Sequence, residues 1–157
     1  MKSPAPVVVI GIGNDFRSDD VAGLFIARKI RESALEGVRV IEGVSDGTSL
    51  IDAWNEAKTA VVIDCVVSGA KPGHIYRFEP LHEDLPAEYF IGYSTHAFSV
   101  AESIKLARAL GQLPNRLVVY GIEGGVFKTG SGMSAEVAEA ADNLVKQIAS
   151  EIENFKT

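Results

Sequence analysis

The chain has 157 residues, of which 46% are hydrophobic, a composition suited to one soluble domain, residues 1–157, with a real core. Its net charge of −6, from 15 basic and 21 acidic residues, disfavours a nucleic-acid binder. A single cysteine, Cys65, excludes a disulfide framework or a thiolate metal cluster within one chain. No apolar run approaches the roughly 20 residues that span a bilayer, and residues 1–6 are too short and polar for a signal peptide. The expectation is a cytoplasmic protein.

Val7 to Ile10 is an unbroken, β-branched apolar run, as in a strand buried on both faces. Gly11 and Gly13 follow at once as a tight turn. Asn14 to Arg17 leave the sheet, and Ser18 or Asp19 is expected to cap a helix from about Asp19 to Glu32. Val38 to Glu42 reads as a second strand and Gly43 to Gly47 as a turn. Thr48 or Ser49 would cap a helix running to about Glu56. Ala60 to Asp64 is a third buried strand ending in an acid. Lys71-Pro72-Gly73 is a turn signal, and His74 to Phe78 alternates as an antiparallel or edge strand does. Residues 79–93 look irregular. Ser94 or Thr95 would cap a helix from about His96 to Leu110, followed by a strand at Leu117 to Ile122 and a glycine-rich loop over Glu123 to Met133. Ser134 would cap a last helix to about Asn154, whose Val137, Ala141, Leu144, Ile148, Ile152 and Phe155 form one apolar stripe. Strands alternating with helices predict an α/β fold. We expect a three-layer sandwich: a mainly parallel twisted sheet of about five strands with helices on both faces.

The glycine turn invites two phosphate readings. A dinucleotide fingerprint needs a third glycine where Phe16 stands, and the Gly-Lys-Ser/Thr triplet of a P-loop is absent. Asp19 and Asp20 at a helix start would also repel phosphate. A non-catalytic nickel- or nucleotide-binding α/β module remains the alternative reading, with Glu42 near the place of a ribose-binding acid.

Asp20, Asp64 and His96 share one kind of address: the edge of a parallel sheet lined by strand C-termini and helix N-termini. Two carboxylates and an imidazole form an O,O,N set for a divalent metal such as zinc or nickel. The carboxylates alone would serve as a general base and its partner. Each residue also has an ordinary use: Asp20 as a first-turn acid complementing the helix dipole, Asp64 as a solvated residue after a strand, His96 as a helix-start residue. Cys65 reads as a small buried apolar side chain. His74 and His82 read as surface histidines. The Gly121 to Gly132 loop reads as a flexible segment shaping a cleft, or as an ordinary surface loop.

Gly11-Ile12-Gly13-Asn14, Asp19-Asp20, Gly23, Glu42-Gly43, Val62-Ile63-Asp64, Pro72-Gly73, Ser94-Thr95-His96 and Gly121-Ile122-Glu123, taken in this order, resemble the hydrogenase maturation endopeptidases. The resemblance covers nearly the whole chain. It implies a metal-dependent hydrolase, a protease that trims the C-terminal extension from the precursor of a [NiFe]-hydrogenase large subunit. The family's acid after the glycine turn falls on Asp20, its second acid on Asp64 and its histidine on His96. The resemblance implies that these recognise nickel already inserted in the precursor, with zinc or another divalent ion as a surrogate, so that the isolated protease need hold no metal of its own. Gly43-Val44-Ser45 and Glu123-Gly124-Gly125 depart from the family's usual segments, and Cys65 is not part of its pattern.

Overall fold

The computed structural model describes residues 5–55, 57–90, 99–130 and 132–156. Among these, five strands form one sheet: β1 (Ala5–Gly11), β2 (Val38–Ile41), β3 (Ala57–Val66), β4 (Ile75–Phe78) and β5 (Arg116–Glu123). Their order is β2-β1-β3-β5-β4; β4 runs antiparallel to β5 and every other pairing is parallel. The helices are α1 (Ala22–Glu32), α2 (Gly47–Trp54), α3 (Val100–Leu110) and α4 (Ala135–Phe155). Short 3-10 turns cover Ser18–Val21 and Ala87–Phe90.

The apolar runs of the central strands are continuous because both of their faces are covered. Val7 and Val9 of β1, Val61 and Ile63 of β3, and Val118, Tyr120 and Ile122 of β5 join α1 and α4 in one core. The alternate residues, Val8, Ile10, Ala60, Val62, Leu117 and Val119, join α2 and α3 in a second core. The result is the expected three-layer α/β sandwich, and the α4 stripe packs as its period requires, with Val137, Ala141, Leu144, Ile148 and Ile152 buried. Trp54, fully buried, closes the second core by donating its indole N–H to the Gln112 carbonyl at 3.0 Å.

Several boundaries differ from the sequence reading. The first helix opens with the 3-10 turn, and α1 itself starts at Ala22 with no side-chain cap. The cap of α2 is Asp46, which accepts from the Ser49 backbone N–H at 2.8 Å, so neither Thr48 nor Ser49 holds that place. Ser49 answers Asp46 with its hydroxyl at 2.9 Å. Ser99 is extended (φ −143, ψ 136) and α3 begins at Val100, so that helix does not open at His96. Its C-terminus falls where expected: Gly111 adopts φ 66, a left-handed stop that glycine takes without steric cost.

Candidate active site at the carboxyl edge of the sheet

The site begins with two close approaches of backbone. A Cβ on Gly23 would lie 2.3 Å from the Ile12 carbonyl oxygen and 2.5 Å from that of Ile63. A Cβ on Gly11 would lie 2.6 Å from the Gly23 oxygen and from the Ala27 methyl. The first turn of α1 therefore rests directly on the C-terminal ends of β1 and β3, which are themselves tied by the Ile12 N–H donating to the Ile63 oxygen at 2.9 Å. Asp20 lies three residues before Gly23, and Asp64 directly follows Ile63. This contact is what brings a helix-start acid over a strand-end acid. Gly23→Ala is accordingly expected to cost about 2–4 kcal/mol of folding stability, because backbone oxygens, unlike flexible side-chain ends, cannot swing aside. A urea titration of the variant checks this.

Asp20 and Asp64 are each partly buried. Burial pushes the Asp20 carboxyl up to about 6, against a smaller opposing pull from Arg17. Burial also pushes Asp64 well above the usual carboxylate range; the charge of Asp20 adds to this, and a hydrogen bond from the Cys65 backbone offsets part of it. Asp64 thus senses the charge of Asp20, and each acid is costly to ionise without a countercharge. Among the described residues, no three His, Cys, Asp or Glu side chains gather as a metal-holding group. His96, with Ser94 and Thr95, lies outside the described residues.

Asp19 does something the sequence does not announce. It is fully buried, and it serves neither a helix cap of its own nor the acid pair. One oxygen accepts from the Gly125 and Val126 backbone N–H groups at 2.9 and 2.8 Å. The other accepts from the Ser134 N–H at 2.7 Å, and the Ser134 hydroxyl donates as well. Ser134, at the head of α4, gives its hydroxyl to Asp19 and does not cap the helix itself. The glycine-rich segment is laced further to the Asn14–Asp20 segment. Gly130 N–H donates to the Phe16 oxygen at 2.9 Å, Ser18 N–H to the Gly130 oxygen at 3.2 Å, and the Ser18 hydroxyl to the Lys128 oxygen at 3.0 Å. These bonds hold Ser18 at φ 48, a left-handed conformation that a serine rarely adopts. The expected flexible loop is thus a strapped one.

The rest of the rim is also tied. Glu123, 1% exposed at the end of β5, accepts from the Ser68 N–H at 2.9 Å and from the Ser68 hydroxyl, which in turn meets the Tyr76 hydroxyl at 2.7 Å. This fixes the turn that leaves β3 just beyond Asp64. Glu42 is engaged by Arg28 at 2.8 Å and by Arg31 at 2.8 Å, and Arg28 also clamps Asp15. Its carboxylate is thus held by two arginines of α1. Cys65 is buried, its thiol pushed up by burial and by the carboxylates around it, and its sulfur packs against Gly124. It has the inert character expected. His74 and His82 are exposed, His74 with its ring edge against Tyr76.

An acid pair on the carboxyl edge of a three-layer α/β sheet, set there by a glycine turn, defines the class: an α/β domain with its candidate site at the strand ends. The comparisons are specific. The family model described as hydrogenase maturation protease matches residues 25–151. The chain is 30% identical over 125 residues to the hydrogenase expression/formation protein HupD of Rhodobacter capsulatus, covering 76% of this chain and 58% of that protein. It is 29% identical over 128 residues to HupD of Thiocapsa roseopersicina, covering 78% of this chain and 56% of that one. The chain thus spans somewhat more than half the length of these relatives. Its fold matches the hydrogenase maturating endopeptidase HybD of Escherichia coli with a TM-score of 0.79 at 19% identity, covering 94% and 92% of the two chains. The chain belongs to the hydrogenase maturation protease family.

Proposed function

We propose that this protein is an endopeptidase that removes the C-terminal extension of a nickel-loaded [NiFe]-hydrogenase large-subunit precursor. The observation that supports this most directly is the Asp20–Asp64 pair, two partly buried carboxylates at the sheet edge, both pushed up by burial and Asp64 also by the charge of Asp20. Nickel arrives as part of the substrate. Asp20, Asp64 and His96 would be its ligands, and the positive centre would hold the precursor against the cleft until the bond is cut. The charge that each carboxylate resists alone is then balanced by the cation, so the empty protease and the loaded complex differ most at these two acids. A carboxylate released from the metal can accept a proton from the attacking water. The net charge of −6 and the absence, among the described residues, of a helix long and apolar enough to cross a membrane accord with a cytoplasmic, protein-directed enzyme.

The test is incubation of the protein with a panel of large-subunit precursors, nickel-loaded and nickel-free, followed by mass spectrometry of their C-termini. Loss of the extension from a loaded precursor alone is the expected result. Equal trimming of the nickel-free form overturns the metal check, and trimming of none overturns the protease reading. His96→Ala is expected to slow trimming of the loaded precursor at least about tenfold; a normal rate removes His96 from the ligand set.

A further inference from the structure

Phe16, 72% exposed, belongs to neither apolar core, yet the segment that carries it is tightly held. Its N–H donates to the Asn14 side-chain oxygen at 2.8 Å, and its carbonyl accepts from Gly130. On one side of it, the Asp15 carboxylate takes both terminal nitrogens of Arg28, at 2.7 and 3.0 Å. On the other, Arg17 pairs with Gly130 as an isolated bridge. The backbone therefore denies the ring the ordinary escape of folding down onto the core. The facing glycine-rich segment presents a second exposed apolar side chain, Val126 at 37%, whose carbonyl accepts from the Asp19 N–H at 2.9 Å.

The same segment ends at Asp20. Asn14 N–H donates to the Asp20 oxygen at 3.2 Å, and Asp20 N–H to the Arg17 oxygen at 3.0 Å, so the Phe16 loop and Asp20 form one closed unit. Phe16 therefore stands on the rim beside Asp20. We propose that Phe16, with Val126, is a specificity-determining contact that seats an apolar side chain of the precursor's C-terminal segment. This rests on the protease reading above. The size of the feature fits a peptide better than a second copy of this chain. A buried phenylalanine contributes about 150–250 Å², whereas a stable dimer takes about 800 Å² from each partner. Holding the backbone in advance removes the ordering cost that a loose loop would bring to such a contact.

The experiment measures KM and kcat of the wild-type protein, Phe16→Ala and Phe16→Leu on a nickel-loaded precursor that the wild type trims, with thermal melting and sedimentation of each. Phe16→Ala is expected to raise KM about 10–30-fold with kcat within about twofold and an unchanged melting point, and Phe16→Leu to stay within about threefold of wild type in KM. A KM within twofold for Phe16→Ala, a lowered melting point, or a wild-type dimer that Phe16→Ala dissolves would each overturn the proposal while leaving the protease reading intact. If the wild type trims no precursor, both fall together.

Discussion

Asp20→Asn and Asp64→Asn are each expected to slow precursor trimming by about a hundredfold or more while making the folded chain more stable. The gain in stability follows from the sign of the shift. Burial raises Asp20 to about 6 in the folded protein, whereas an unfolded aspartate titrates near 3.9. Between those values the native state holds the extra proton, so stability falls as pH rises through that window, and the full loss is present above about 6. Asparagine carries no such charge. After allowance for the solvent that still reaches Asp20, the gain is about 1–2 kcal/mol, or about 2–6 °C in melting temperature at pH 8, fading as the pH is lowered toward 4. Asp64, also pushed up by burial, should show the same sign. Thermal scans of the three proteins at stepped pH check this, and a variant that melts below wild type at pH 8 would contradict it. The acids would then be structural, and the trade of stability for function that marks a working site would be absent.

The neighbouring acid should behave in the opposite sense. Asp19→Ala is expected to cost about 2–4 kcal/mol, lowering the melting temperature by about 5–15 °C, because it strips partners from the backbone N–H groups of Gly125, Val126 and Ser134 at once. Asparagine should rescue little of this. Both oxygens of Asp19 face donors, so whichever way an amide is turned, its NH2 group points at an N–H. Limited proteolysis gives an independent reading: the segment from Gly124 to Gly132 should become the first site of cleavage in either variant and resist it in wild type. An unchanged melting curve would show that water replaces the carboxylate without loss. Adjacent aspartates with stability effects of opposite sign form a sharper test than either substitution alone.

The contrast also shows where sequence reading stops. The β1–glycine–helix opening, the buried strands, the antiparallel edge strand and the stripe of α4 are written in local periodicity and in glycines that allow close approach, and all are found. Asp64 near a strand end, though β3 runs on to Val66, and Asp20 at a helix start follow from the same pattern. What separates Asp19 from Asp20 is not local: its acceptors serve N–H groups 106 to 115 residues away. Glu123 likewise looks like the end of a strand until Ser68, 55 residues earlier, is seen to donate to it. Glu42 reads as a ligand-facing acid because nothing in its own stretch reveals Arg28 and Arg31 on the helix before it. At α2 the competition is among neighbours: Asp46, Thr48 and Ser49 are all good caps, and the turn geometry selects the earliest.

The parallel pairing at the centre of the sheet has a kinetic corollary. Gly11 lies beside Ile63, and Asp64 beside Gly121, partners that an unfolded chain must find across long intervening loops. Such topologies fold more slowly than those with local contacts, because chain entropy is lost before distant pairings repay it. The site therefore takes shape only once β1 and β3 have paired and the first turn of α1 has settled on their ends.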